Sequence, residues 1–203
     1  MVTITKEVLF MNRLAVFCGS KDGAHPVFRE AAGTLGQALA AHGIGLVYGG
    51  SRVGTMGAVA DATLAAQGQA IGVLPHFLQE KELAHPGLTE LHLVHSMHER
   101  KAKMSELADG FIILPGGPGT MEEFFEVFTW AQLGLHEKPC GVLNIDGYYD
   151  PLIALFDTME CQGFLIPEHR AMLIVESDPD RLLERFATYE APRVKTYMDR
   201  SQT

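Results

Sequence analysis

Short apolar runs alternate along the chain with longer stretches whose apolar residues recur every three or four positions. "RLAVFCGS" (13–20), "IGLVYGG" (44–50), "QAIGVLP" (69–75), "TELHLVH" (89–95), "DGFIILPGG" (109–117), "KPCGVLN" (138–144) and "AMLIVES" (171–177) have strand length and close on glycine, proline or polar residues. The intervening stretches have helical period. One runs from about Pro26 to His42, and the others are "GTMGAVADATLAAQ", "MHERKAKMSELA", "TMEEFFEVFTWAQLGL", "DPLIALFDTMECQG" and "DPDRLLERFATY". In "MHERKAKMSELA", Met97, Lys101, Met104, Leu107 and Ala108 fall near one face. The pair Lys138-Pro139 reads as the stop of the long helix before it, and "HFLQEKELAHPG" reads as an irregular loop.

This alternation predicts parallel strands joined by crossover helices. The expected fold is a Rossmann-like α/β class, a doubly wound and mostly parallel sheet of six or seven strands with helices on both faces. No internal repeat or low-complexity linker divides the chain, so one nucleotide-binding domain is expected over residues 13–190. It sits between an N-terminal extension (1–12) and a polar tail (191–203). A length of 203 residues, 47% of them hydrophobic, is enough to bury one sizeable core.

Charge narrows the ligand. A net charge of -9 without a basic cluster argues against nucleic acid and against an anionic membrane surface, since both need concentrated Lys and Arg. The N-terminal run is interrupted by Lys6, Glu7 and Arg13, and no segment reaches membrane-spanning length. Cys18, Cys140 and Cys161 are too few and too scattered for a disulfide framework, and each stands among apolar neighbours. A cytoplasmic protein with reduced core thiols is expected.

In a doubly wound sheet, ligands bind beyond the carboxyl ends of the strands, where the glycine clusters of this sequence lie. Gly19-Ser20 follows the first strand, Gly49-Gly50-Ser51 the second and Gly116-Gly117-Pro118-Gly119-Thr120 the fifth. Glycine lets backbone N–H groups approach an anion, and a helix N-terminus adds partial positive charge. Each loop alone reads equally as a tight turn; the three together point to a phosphate-bearing nucleotide. The GK[ST] ending of a P-loop and the G-x-G-x-x-G fingerprint are both absent.

The acids after the third loop have two readings. Thr120 and Glu123 form T-x-x-E, the pattern of a capping box, and Glu122, Glu123 and Glu126 all suit a helix N-terminus. The alternative is a carboxylate presented to a ligand.

"PGGPGTMEE" has the form PGGxGTxxE. Together with "MHERKAKM" and "YGGSRVGTMG" it resembles the LONELY GUY (LOG) family of cytokinin-activating phosphoribohydrolases, and "EVFTWAQLGLHEKPCGVLN" extends the similarity, which runs from about Leu14 to Phe186. The resemblance implies hydrolysis of the N-glycosidic bond of a nucleoside 5'-monophosphate to free base and ribose 5-phosphate. It implies a catalytic pair of Arg100 and Glu123. It implies substrate contacts from Glu82, Met97, Lys101, Gly116, Gly117, Gly119, Thr120 and Thr129, with Ser20, Gly49 and Gly50 on the phosphate side. Pro118 fills the variable position and removes one N–H, leaving Gly117, Gly119 and Thr120 as donors. A homodimer is implied, and neither cofactor nor metal.

The residue types suit that chemistry. Cleavage of a nucleoside bond builds positive charge on the ribose, which a carboxylate can stabilise while it orients or deprotonates water. A guanidinium stays protonated, so Arg100 is assigned an electrostatic role.

Rival readings remain. Families of this kind are also labelled lysine decarboxylases, whose reaction needs pyridoxal phosphate on a lysine, and no such lysine motif is evident. An AMP nucleosidase and a non-catalytic nucleotide or cofactor carrier would share the fold. His92, His95 and His98 are spaced by three but span a strand-to-helix junction, so surface or capping roles are favoured over a metal site. Phe124, Phe125, Phe128 and Trp130 cover more than one helix face, which suits either a core or a subunit interface.

Overall fold

A computed structural model describes residues 11–79 and 84–192. Seven strands form one sheet: β1 (Arg13–Phe17), β2 (Gly45–Tyr48), β3 (Ala70–Pro75), β4 (Glu90–Val94), β5 (Gly110–Ile113), β6 (Cys140–Leu143) and β7 (Leu173–Glu176). All pairings are parallel, in the order β4-β3-β2-β1-β5-β6-β7. The long helices are α1 (Pro26–Ala41), α2 (Gly54–Ala65), α4 (Met97–Leu107), α5 (Pro118–Gln132), α6 (Asp150–Cys161) and α8 (Pro179–Ala187). Two single turns, α3 (His76–Gln79) and α7 (Pro167–Arg170), complete the described elements with a 3-10 turn at Ile145–Gly147.

Successive strand residues point to opposite faces, and both faces are covered, which is why the central strands read as continuous apolar runs. Leu14 and Val16 of β1 join a core with Leu35 and Leu39 of α1, Val59 of α2 and Phe186 of α8. Their neighbours Ala15 and Phe17 join a second core with Met104 of α4, Phe124 and Phe128 of α5 and Phe156 of α6. The small residues of α2 allow close approach to α1. A Cβ at Gly36 would stand 2.5 Å from the Val59 carbonyl oxygen.

Strand order reverses direction at β1. The chain winds outward through β2, β3 and β4, then returns to place β5 on the other side of β1, with Phe17 level with Ile113. The segments after β1 and β5 therefore leave the sheet side by side, opening the crevice expected at such a switch point. Gly116 and Gly19 meet there, close enough that a Cβ on Gly116 would lie 3.1 Å from the Gly19 nitrogen.

Several local expectations change. The T-x-x-E pattern is not a capping box: α5 starts at Pro118 with Gly117 as its N-cap, and no side chain caps it. Proline's fixed φ favours the first helical position, so the helix begins three residues before Glu123 could serve as a capping partner. The capping arrangement sits instead on α4. The Ser96 hydroxyl accepts from the Glu99 N–H at 3.1 Å, and the Glu99 carboxylate accepts from the His95 N–H at 2.8 Å. Helix α5 ends at Gln132, before Gly134 in the left-handed region (φ 73°), rather than at Lys138-Pro139. The loop after β3 carries the turn α3, and Ser51 bridges to Ala84 beyond it.

Cys18 and Cys140 are buried free thiols, but Cys161 is exposed at the end of α6. Phe124 and Phe128 lie fully inside the chain's own core, and Phe125 and Trp130 pack against it. The breadth of that aromatic face is satisfied mainly by α6, whose Phe156 ring stacks on Phe125 at 5.9 Å and meets Phe128 edge-on at 5.2 Å. Among the described residues, no helix is long and apolar enough to cross a membrane.

Candidate active site

A cavity of about 450 Å3 opens at the carboxyl end of the sheet. The loops after β1 and β2, the first turns of α4 and the start of α5 enclose it. A wider hollow of about 700 Å3 lies at the amino edge, where Asp109 already accepts from the Asn12 and Arg13 N–H groups. It brings together no comparable set of opposed charges.

Arg100 enters the cavity from α4 and is buried. Its Nε donates to the Val73 carbonyl at 3.1 Å, which fixes the guanidinium across the end of β3. Its Nη1 lies 3.6 Å from Glu123 Oε1 and 3.9 Å from the Met97 sulfur. Gly49 makes this crossing possible, because a Cβ there would fall 1.9 Å from Arg100 Nη2.

Glu123 projects from the second turn of α5 and is only 9% exposed. Burial raises its pKa. The Arg100 charge opposes that shift and Glu122 adds to it, leaving the carboxyl above its ordinary range. The main influence favouring its ionised form is thus one cation, Arg100.

The neighbouring residues form a second set of pairs. Lys101 Nζ donates to Glu122 Oε1 and, at 3.1 Å, to Glu126 Oε1. Desolvation pulls the Lys101 pKa down, but the hydrogen bonds that its ammonium donates to the two acids outweigh it and leave the group more basic than usual. Consecutive cations on α4 therefore meet consecutive acids on α5, although Lys101 does not line the cavity.

Of the other expected positions, Ser20, Gly49, Met97, Gly117, Gly119 and Thr120 line the cavity. Gly117 and Gly119 are exposed, and a Cβ on either would meet nothing within 4 Å. With no side chain capping α5, the N–H groups of its first turn face the cavity mouth, a natural seat for an anion. Gly50 and Gly116 stand behind the lining. Gly50 has φ 76° and accepts at its carbonyl from the His85 N–H. Gly116 backs onto Gly19 and the Thr120 hydroxyl. Thr129 is exposed about two turns beyond Glu122 on α5 and does not line the cavity. Glu82 lies outside the described residues.

The cavity also draws on residues that the sequence reading passed over. Val53, Met56, Leu74, Leu78 and Met104 make an apolar wall. The pattern "GSRVGTMG" contains Val53 and Met56 and was a sufficient signal for those two. Cys18 lines the cavity as well, but burial pushes its thiol up to about 12, so it stays neutral. His92 pairs with Glu90 at 2.9 Å and His95 packs on His76, while His98 is exposed; the three rings do not converge.

Comparisons with known proteins bear on the family and the fold. Residues 56–186 match the family model described as "Possible lysine decarboxylase". The cytokinin riboside 5'-monophosphate phosphoribohydrolase of Rhodococcoides fascians is 50% identical over 166 residues, which cover 81% of this chain and 84% of the relative. The enzyme of that name from Arabidopsis thaliana is 44% identical over 178 residues, 88% of this chain and 82% of its own length. Among solved structures, the molybdenum cofactor binding protein of Rippkaea orientalis superposes with a TM-score of 0.66 at 22% identity, covering 87% of this chain and 95% of that one; this likeness concerns the fold alone. The chain belongs to the LOG family of cytokinin riboside 5'-monophosphate phosphoribohydrolases.

Proposed function

We propose that the protein performs the reaction its relatives are named for, hydrolysing a cytokinin-type nucleoside 5'-monophosphate to free base and ribose 5-phosphate. The observation that carries the proposal is the buried Arg100–Glu123 pair at 3.6 Å beside an uncapped helix N-terminus. The 5'-phosphate sits on the N–H groups of Gly117, Gly119 and Thr120, with Ser20 and Gly49 on its other side. Held there, it delivers the ribose to Glu123.

As the bond from C1' to the base nitrogen breaks, positive charge grows on the ribose, and the Glu123 carboxylate opposes it in a site of low dielectric. A water oxygen bonds to C1'. Its proton passes to Glu123 and onward to the departing base, which leaves with the bonding electron pair, so the neutral base is released and the carboxylate is restored. Arg100 favours the ionised form of Glu123 and cannot itself supply a proton. Met97 and the wall of Leu74, Leu78 and Met104 support a base bearing an apolar substituent over plain adenine.

A pyridoxal-dependent decarboxylation fits poorly. Among the described residues no lysine lines the cavity, and Lys101 Nζ is already held by two carboxylates. The buried free thiols of Cys18 and Cys140 support a cytoplasmic setting. We also place the working protein in a homodimer. The apolar residues that support it are on α6 and around α7, where Leu155, Ile166 and above all Phe164 (88% exposed) face outward.

The direct test separates base and ribose 5-phosphate by HPLC after incubation with isopentenyladenosine monophosphate, AMP and their nucleosides. Cleavage of both monophosphates is expected, with the higher kcat/KM for the isopentenyl substrate. Equal kcat/KM for adenosine and AMP would remove the phosphate from the mechanism, and no cleavage of any substrate would leave a carrier.

A further inference from the structure

We infer that Tyr148 and Tyr149 are positioning residues for the phosphate-binding loop, acting on it from the turn between β6 and α6. The loop needs such support. Leu114 to Gly119 contains three glycines, and no side chain caps the helix it begins. Glycine has the most conformational freedom to lose, and Gly116 and Gly117 stand together between two prolines that fix only their own φ, so this pair depends on outside support.

The two phenols supply what the loop lacks. Tyr149 is 2% exposed, and its hydroxyl donates to the Leu114 carbonyl at 2.6 Å. The Tyr148 hydroxyl donates to the Gly116 carbonyl, also at 2.6 Å. The two bonds fix the loop at its root and at its first glycine, immediately before the N–H groups assigned to the phosphate. Tyr148 reaches further: its ring meets Tyr149 edge-on at 4.9 Å and Phe28 of α1 at 5.7 Å. It thereby ties the β5 loop to the helix that follows the Ser20 loop, so both sides of the cavity mouth share one aromatic brace.

The brace is itself built with care for backbone geometry. Asp146 and Gly147 both take left-handed conformations (φ 51° and 68°), turning two successive tyrosines back toward β5. Asn144 locks the turn, accepting from the Tyr149 N–H at 2.8 Å and donating to Asp150 at 2.7 Å. None of these residues lines the cavity. They act through the loop alone.

The inference rests on the proposed function, and its test separates the two. Tyr148→Phe and Tyr149→Phe remove one hydroxyl each and keep the rings. With the monophosphate cleaved best by the wild type, KM should rise about fivefold in Tyr148→Phe, the range expected for one lost hydrogen bond. The dissociation constant of ribose 5-phosphate by calorimetry should rise by a similar factor. kcat should stay within about twofold, because the body of α5 is anchored separately by Phe124, Val127 and Phe128 in the core. Tyr149→Phe leaves a buried carbonyl unpaired and is the variant at risk of misfolding; the half-exposed Tyr148 site carries the test without it. A purely structural role would lower Tm and leave KM and ribose 5-phosphate binding unmoved, which overturns the inference. A wild-type protein that neither cleaves a monophosphate nor binds ribose 5-phosphate overturns both readings.

Discussion

Glu123 carries its charge where burial resists it, and that conflict is measurable. Its raised pKa means that the folded state prefers the neutral carboxyl. The cost is absent below the ordinary carboxylate pKa and complete above the raised one. Glu123→Gln mimics the neutral form, so it should equal or exceed wild type in urea stability at pH 7, with the gap closing as pH falls toward 4. Its kcat should drop roughly a hundredfold or more, since the charge that opposes the ribosyl cation is gone. A folded variant with near-wild-type turnover would return Glu123 to a structural role. In the wild type, the acid limb of kcat/KM should lie above the usual carboxylate range. Gly49→Ala tests the cation: the new Cβ would displace the Arg100 guanidinium, which can swing away without unfolding the chain. We expect a loss of roughly tenfold to a hundredfold in kcat. The acid limb should also move to higher pH, because Arg100 is the main influence lowering the Glu123 pKa.

At the scale of elements, two contacts decide where helices sit. Ala would favour the helical state of α1 over Gly36 by about 1 kcal/mol. The methyl would instead press on the Val59 carbonyl of α2, a backbone atom that cannot rotate away. Overpacking of this kind costs about 1–3 kcal/mol, so Gly36→Ala should lower the urea midpoint without altering KM. Lys101 joins α4 to α5 through Glu122 and Glu126. Lys101→Met leaves two like charges on one helix face without their shared cation. Breaking a buried pair costs about 3–5 kcal/mol, but Glu122 is largely exposed and water offsets part of that; roughly 1–3 kcal/mol is expected. Because the ammonium lies outside the cavity lining, kcat should suffer more than KM, through misalignment of Arg100 and Glu123. A rise in KM alone would place Lys101 on the substrate.

At the scale of the whole molecule, Leu155, Phe164 and Ile166 are apolar side chains that a monomer would leave in water. Light scattering of active protein at micromolar concentration should give the mass of a dimer, and Phe164→Glu should shift that mass toward the monomer. A monomeric wild type with full activity would refute the assembly. These three side chains lie apart from Phe124 and Phe128, whose aromatic bulk α6 absorbs within the chain. The aromatic residues of α5 thus serve the chain's own core first.

Local pattern determined a great deal. Apolar runs of strand length, helical periods between them and glycines at the strand ends are properties of neighbouring residues, so all seven strands and the three glycine-bearing loops were legible in order. So were Arg100, Gly117, Gly119, Thr120 and Glu123 at the cavity, because the motifs "HERK" and PGGxGTxxE keep them close in sequence; the apolar wall of Leu74 and Leu78 carried no such signal. Partner choice across long separations was decided only by the tertiary structure. That Lys101 spends its charge on Glu122 and Glu126, that Arg100 hangs on the Val73 carbonyl and that Tyr148 and Tyr149 reach back to Gly116 and Leu114 all follow from β5 lying between β1 and β6. The start of α5 at Pro118 was decided in the same way: the T-x-x-E pattern permits a cap, but the proline at the first helical position and the packing of Thr120 and Glu123 against the cavity leave Glu123 out of any cap and facing the cavity. Strand order is a choice among alternatives that bury the same apolar residues, and the hydrophobic pattern, being local, does not distinguish among them.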